Sequence, residues 1–231
     1  MDRVRIYIGY DPKEAAAYHV CCQSIIAHSS MPVEFIPLHA LPISQKDGSN
    51  AFTYARFLVP YLNGFKGHAI YLDGDMTVKG DIAELWAMRR VYTGAQVVQH
   101  SYKTKHPVKY FGAKNEDYPR KNWSSVILWN CGFLPNAKLT PEFVEAQTGA
   151  FLHRFQWLEE ERIGPLPKEW NWLEGEYPAN PHAKLIHHTL GTPCIQGYEN
   201  SDHADDWYRE LDGALNVAGQ NPSVLFERLR C

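Results

Sequence analysis

The stretch "VRIYIGYD" (residues 4–11) leads with apolar and β-branched positions, a pattern that predicts a first strand. In "PKEAAAYHVCCQSIIAHS" (residues 12–29) a proline stands where a helix begins and alanines support the turns after it, so a helix is expected. "VEFIPLHAL" (33–41) reads as a second strand, and "NAFTYARFLVPYLN" (50–63) as a second helix that stops near Asn63 and Gly64. The apolar run opening "AIYLDGDMTV" (69–78) predicts a buried strand. A short helix over 81–88 with Asp81 at its cap comes next, then a strand over 95–100. This β-α-β-α-β rhythm predicts an α/β fold with a mainly parallel central sheet, buried on both faces.

The second half is less regular. Residues 101–122 are polar, basic and dotted with tyrosine, with no clean period; a loop that long inside a compact domain is usually functional or mobile. Residues 123–130 read as a strand and 140–158 as one helix. "IGPLPKEWNWLEGEYPANP" (163–181) reads as irregular, "AKLIHHTLG" (183–191) as a short strand ending in two histidines, and 201–215 as a helix. Nothing in the 231 residues marks a repeat or a linker, so a single domain over 1–231 is expected.

Composition narrows the partners. With 45% hydrophobic residues a normal core can form. A net charge of −3 without a long basic block disfavours nucleic acid. Apolar runs fall short of the ~20 residues a membrane span needs. The N-terminus enters a strand without the apolar core of a signal peptide. Five cysteines, an odd number without metal-like spacing, point to a reducing compartment, the cytoplasm. They read as small apolar fillers, with Cys21 and Cys22 on a helix.

The candidate chemistry lies in Asp73-Gly74-Asp75. Two carboxylates one residue apart repel each other unless something bridges them. At the carboxyl end of a strand in an open α/β sheet, where ligands bind, both can face a hard divalent cation such as Mn²⁺ or Mg²⁺. An Asp-Gly turn open to water is the plain alternative. The string "DGDMT" also fits the motif of haloacid-dehalogenase-like phosphatases, in which the first acid attacks phosphorus. That motif, however, closes the first strand of its fold, and a later pair of adjacent aspartates, which the fold requires, could only be Asp205-Asp206, in a helical pattern. A third possibility is a nucleotide-sugar-binding domain without catalysis.

The stretch "TYARFLVPYLNGFKGHAIYLDGDMTVKGDIAELW" resembles the family 8 glycosyltransferases, the glycogenin and bacterial galactosyltransferase group. Tyr54, Arg56, Tyr71, Leu72, Asp73, Asp75, Asp81, Leu85 and Trp86 fill the pattern. "LHRFQWL", "IGPLPKEWNWLEGEYP" and "IHHTLG" look closer to a compact bacterial and phage subgroup than to glycogenin. The resemblance implies a GT-A, Rossmann-like fold and metal-dependent transfer of a sugar from a UDP-sugar to a glycan or other acceptor, with retention of configuration. Residues 1–100 would hold the nucleotide, and 101–231 the acceptor and a third metal ligand. Ile8, Gly9, Tyr10, Asp11, Arg56, Asp73, Gly74 and Asp75 would meet the nucleotide-sugar, with Tyr10 stacking on the base and Asp11 accepting from base or ribose.

For the third ligand, the glycogenin-like spacing favours His188, whereas the compact subgroup's pattern and the position directly after "KLI" favour His187; alternation along a strand lets only one face the cation, and His187 is the one expected. Gln156 is the candidate lining the reacting face beside Asp73 and Asp75. The family's Lys-Pro-Trp after the late glycine, whose lysine touches diphosphate, is replaced by Thr192-Pro193-Cys194. Lys103, Lys105, Lys109, Arg120 and Lys121 read as a solvated face or as a lid over the diphosphate in its place. Trp170, Asn171, Trp172, Glu174 and Glu176 read as an aromatic and acidic patch suited to an acceptor sugar, or as core.

Overall fold

A computed structural model describes residues 3–39, 41, 43 and 52–215. In chain order the elements are β1 (Val4–Gly9), α1 (Ala15–His28), β2 (Val33–Leu38), α2 (Val59–Leu62), β3 (His68–Leu72), β4 (Met76–Val78), α3 (Ile82–Ala87) and β5 (Ala95–Val97). The rest are β6 (Val126–Asn130), α4 (Pro141–Ala146), α5 (Gly149–His153), β7 (Ile163–Pro165), β8 (Trp172–Leu173), β9 (Leu185–His187) and α6 (Ala204–Leu215).

The main sheet runs β2-β1-β3-β6-β5-β7. β1 is parallel to β2 and β3, and β5 is parallel to β7; β6 alone runs the other way, between β3 and β5. The sheet is therefore mainly parallel, as the sequence leads one to expect. Its central strands β1, β3 and β6 are buried on both faces, with Ile6, Ile8, Ile70 and Leu72 toward one apolar cluster and Tyr7, Tyr71 and Trp129 toward the other, while the edge strand β2 is only partly buried.

Several boundaries differ from the sequence pattern. The expected strand over 69–78 is two strands. β3 stays in the main sheet, while β4 leaves it to pair antiparallel with β9, which in turn pairs with β8. Asp73-Gly74-Asp75 is the hinge between the two sheets. The chain comes so close to β1 there that a Cβ on Gly74 would stand 2.4 Å from the Gly9 carbonyl oxygen, so only glycine fits.

The expected helix over 140–158 is broken. Thr140 caps α4 by accepting from the Phe143 amide, and Thr148 caps α5 by accepting from the Phe151 amide. Each threonine starts a helix of its own, and Phe155, at φ 54°, turns the chain away. The helix expected over 50–63 is a 3₁₀ turn over Ala55–Leu58 continued by α2, with Pro60 in its first turn; residues 50 and 51 lie outside the described residues. Among the described residues no helix is long and apolar enough to cross a membrane, and Cys21, Cys22, Cys131 and Cys194 are free thiols.

Candidate active site

The ends of β1 and β3, the Asp73–Asp75 hinge and the end of β9 surround a cavity of about 420 Å³. Antiparallel pairing places His187 opposite Met76, and the His188 amide donates to the Asp75 carbonyl at 3.0 Å. Sheet register thus brings the late histidines to the carboxylates across more than a hundred residues of chain. Asp73, Asp75 and His187 each offer a ligand atom, and these atoms lie within 4.8 Å of one another.

The two acids are not equivalent. Asp73 is anchored: its Oδ1 accepts from the Tyr71 hydroxyl at 2.5 Å and from Arg56 Nη2 at 3.0 Å, and its Oδ2 accepts from Arg56 Nη1 at 3.3 Å. Arg56 is itself buried, donates to the Ser124 and Thr53 carbonyls, and faces the Tyr71 ring. Burial raises the Asp73 carboxyl above its usual range, though the Arg56 charge opposes it. Asp75 Oδ1, by contrast, is buried without a hydrogen-bond partner. Burial works to raise this carboxyl too, but the attraction of His187, followed by Lys109 and His188, holds it below the usual carboxylate range.

The two histidines separate cleanly. His188 is enclosed: Nδ1 lies 2.6 Å from Glu174 Oε2 and Nε2 lies 2.9 Å from Thr77 Oγ1. His187 turns to the cavity, with Nδ1 3.2 Å from Asn171 Oδ1. The Asn171 amide nitrogen donates to the Asn122 carbonyl and to Ser125 Oγ, which fixes its oxygen toward His187. His187 Nδ1 must then carry the hydrogen, and Nε2 points at Asp75 Oδ1 from 3.5 Å. Two lone-pair atoms face each other there unless a proton or a metal cation sits between them. Two carboxylates and an imidazole are a donor set that fits Mn²⁺ or Mg²⁺, and the orphaned Asp75 oxygen is where such an ion fits.

The family model for glycosyl transferase family 8 matches residues 13–135. The chain belongs to that family. Protein CDI of Arabidopsis thaliana is 41% identical over 222 residues, which is 90% of this chain and 86% of that one. Among solved structures, the bifunctional glycosyltransferase WbbM is similar with a TM-score of 0.69 at 15% identity, over 98% of this chain and 51% of WbbM. GlyE of Streptococcus pneumoniae gives 0.62 at 14% identity, over 99% of this chain and 63% of GlyE. This family 8 chain thus spans between half and two thirds of those two proteins. The galactosyltransferase LgtC, solved with donor and acceptor sugar analogs, gives 0.58 at 12% identity, over 94% of this chain and 98% of LgtC. These likenesses show the GT-A fold, and the GT-A family suggests a divalent metal.

Other residues singled out in the sequence are placed as follows. Asp11 lines the cavity, but its carboxylate caps the turn after β1 by accepting from the Lys13 amide at 2.9 Å. Ile8 is wholly buried in the sheet between β2 and β3 and does not line the cavity. Gly9 lies under the Phe52 ring, 2.5 Å from where a Cβ would be. Tyr10 packs edge-on against Tyr18 and His39 and is not among the cavity-lining residues. Gln156 is exposed and outside the cavity, so the structure does not bring it to the carboxylates; the same segment offers His153 instead, 2.6 Å from Ser124 Oγ.

Trp170, Asn171, Glu174 and Glu176 are buried, as the core alternative expects, the last three with hydrogen-bonded side chains, and only Trp172 is partly open. Of the basic residues, Lys109 lines the cavity, Lys121 donates to Asn115, Arg120 pairs with Glu160, and Lys103 and Lys105 are exposed.

Among the cavity residues that carried no sequence signal, Glu14 stands out. Glu14 follows Asp11 on the turn into α1, and its Oε1 is buried without a partner. Burial, with the charges of Asp75, Asp11 and Asp73, raises its carboxyl from 4.5 to about 8. A carboxyl raised on folding binds its proton more tightly in the native state, so its contribution to stability is full below its unfolded value and is lost as pH rises to about 8. The metal-free protein should therefore lose thermal stability between about pH 4.5 and 8, and Glu14→Gln should flatten that slope. Parallel melting curves of the two proteins check this.

Proposed function

We propose that this protein is a metal-dependent glycosyltransferase that moves a sugar from a UDP-sugar to a glycan or other acceptor, with retention of configuration. The observation that carries the reading is the buried, partnerless Asp75 oxygen facing His187 Nε2 beside a polar cavity. Asp73, Asp75 and His187 would hold Mn²⁺ or Mg²⁺. When bound, the ion supplies a Lewis acid that stabilises the charge of the leaving diphosphate. The chain's own part is positioning: Arg56 and Tyr71 fix Asp73, and Asn171 fixes the His187 ring. Lys13 and Lys109 line the same cavity and suit a ligand carrying several negative charges. Its size suits a nucleoside diphosphate with part of a sugar. The donor and acceptor sugar analogs with which LgtC was solved agree with this reading.

The phosphatase reading is not favoured by the geometry. Both oxygens of Asp73, the would-be nucleophile, are held by Arg56 or Tyr71. Asp205 and Asp206 lie in α6, where Asp206 is bound by Lys79, His203 and Arg209. The test is incubation with a panel of UDP-sugars and Mn²⁺, followed by assay of free UDP. Slow release with at least one donor, water standing in for the acceptor, and no p-nitrophenol from p-nitrophenyl phosphate, is expected. Binding of UDP with no release from any donor, even with candidate acceptors added, would mark a non-catalytic binding domain.

A further inference from the structure

The segment after β5 builds a hairpin across the cavity. Val108 and Lys114 pair antiparallel, the Lys109 amide donates to the Ala113 carbonyl at 2.9 Å, and Gly112 closes the turn at φ 71°. The tip is fastened beside the metal-site strand: the Tyr110 amide donates to the Leu190 carbonyl at 2.8 Å, just beyond His187. Lys109 is thereby set in the cavity wall, close enough for its charge to favour the ionised forms of Glu14 and Asp75.

One buried side chain gathers the base of the hairpin. Glu176 is only 3% exposed. Its Oε1 accepts from the Thr104 hydroxyl and from Asn115 Nδ2 at 3.3 Å, and its Oε2 accepts from the Lys105 amide at 2.9 Å. Asn115 in turn accepts from Lys121 Nζ at 2.7 Å. Among the described residues, every hydrogen bond to the Glu176 carboxylate comes from residues 104–115, and it forms no ion pair. A buried carboxylate is costly unless hydrogen-bonded, and bonds to a charged acceptor are roughly twice as strong as neutral ones. Its whole satisfaction therefore depends on the hairpin staying down.

We propose that Glu176 is a positioning residue for the donor: it clamps the hairpin so that Lys109 stands over the cavity and meets the diphosphate of the nucleotide. This rests on the UDP-sugar reading above. Lys109→Ala should weaken UDP binding in Mn²⁺ by about tenfold and UMP binding by less than about threefold, because UMP lacks the second phosphate. Glu176→Ala should reproduce that selective loss. The double variant should lose no more than Lys109→Ala alone, because Glu176 acts through Lys109. Without any ligand, trypsin should cut Glu176→Ala between residues 103 and 114 at least about tenfold faster than the parent, with the thermal midpoint nearly unchanged. Should Glu176→Ala fail to fold, Glu176→Gln keeps one acceptor oxygen and should show both effects at reduced size. Additive losses in the double variant, or unchanged trypsin cleavage, would overturn the proposal. If the parent binds no UDP, the donor reading and the role of Lys109 both fall, while the trypsin comparison still decides whether Glu176 holds the hairpin.

Discussion

Asp75→Ala is expected to abolish Mn²⁺-dependent UDP binding, lowering affinity by at least about a hundredfold, and to cost the metal-free fold less than Asp73→Ala does. The reason lies in its surroundings. Asp75 Oδ1 is buried with no hydrogen-bond partner, and Asp73 and Glu14 add repulsion. Removal of the Asp75 carboxylate relieves the desolvation of a buried oxygen, about 1–3 kcal/mol, but gives up the attraction of His187, Lys109 and His188, and the two effects oppose each other. Asp73→Ala should abolish binding too, but at the expense of the fold, because it strands the buried Arg56 guanidinium; losing one partner of a buried pair costs about 3–5 kcal/mol. Calorimetric UDP titrations and chemical denaturation of both variants check the contrast. A loss of stability in Asp75→Ala as large as that in Asp73→Ala would mean that its carboxylate serves the fold as much as the ligand.

The two histidines should part in the same way. His187→Ala should weaken Mn²⁺-linked UDP binding by about tenfold to a hundredfold, since it removes a ligand atom at the cavity, and should cost less stability than His188→Ala. His188→Ala should do the reverse. It leaves Glu174 without its imidazole partner and removes the link to Thr77, at a cost of about 3 kcal/mol or more. UDP affinity in Mn²⁺, together with denaturant midpoints, separates the outcomes; a stronger binding defect in His188→Ala would reverse the assignment.

Much of the architecture is legible in the sequence because periodicity is local. The pattern of residues 4–11, the proline-led helix after it and the apolar run before Asp73 each declare themselves within a few residues. The break at Asp73-Gly74-Asp75 does not, because the signal there is the approach of Gly74 to the Gly9 carbonyl, a contact between distant parts of the chain. β7 and β8, three and two residues long, are too short to show a period and sit among prolines and tryptophans. The same limit governs the site. The orientation of His187 depends on Asn171, which depends on Asn122 and Ser125. Glu174 and Glu176 look like a surface patch in the sequence because their partners, His188 and the hairpin, are named only by the fold. Gln156 stands out in the sequence only by likeness of pattern, and the left-handed turn at Phe155 leaves it exposed.

If Asp73, Asp75 and His187 together hold a divalent ion, nucleotide binding must depend on that ion. The most direct test is calorimetric titration of UDP into the parent protein at neutral pH, once with saturating Mn²⁺ and once with a chelator. One-site binding with Mn²⁺ and no measurable heat of binding with the chelator is the expected result. Equal UDP affinity in the two titrations would contradict it.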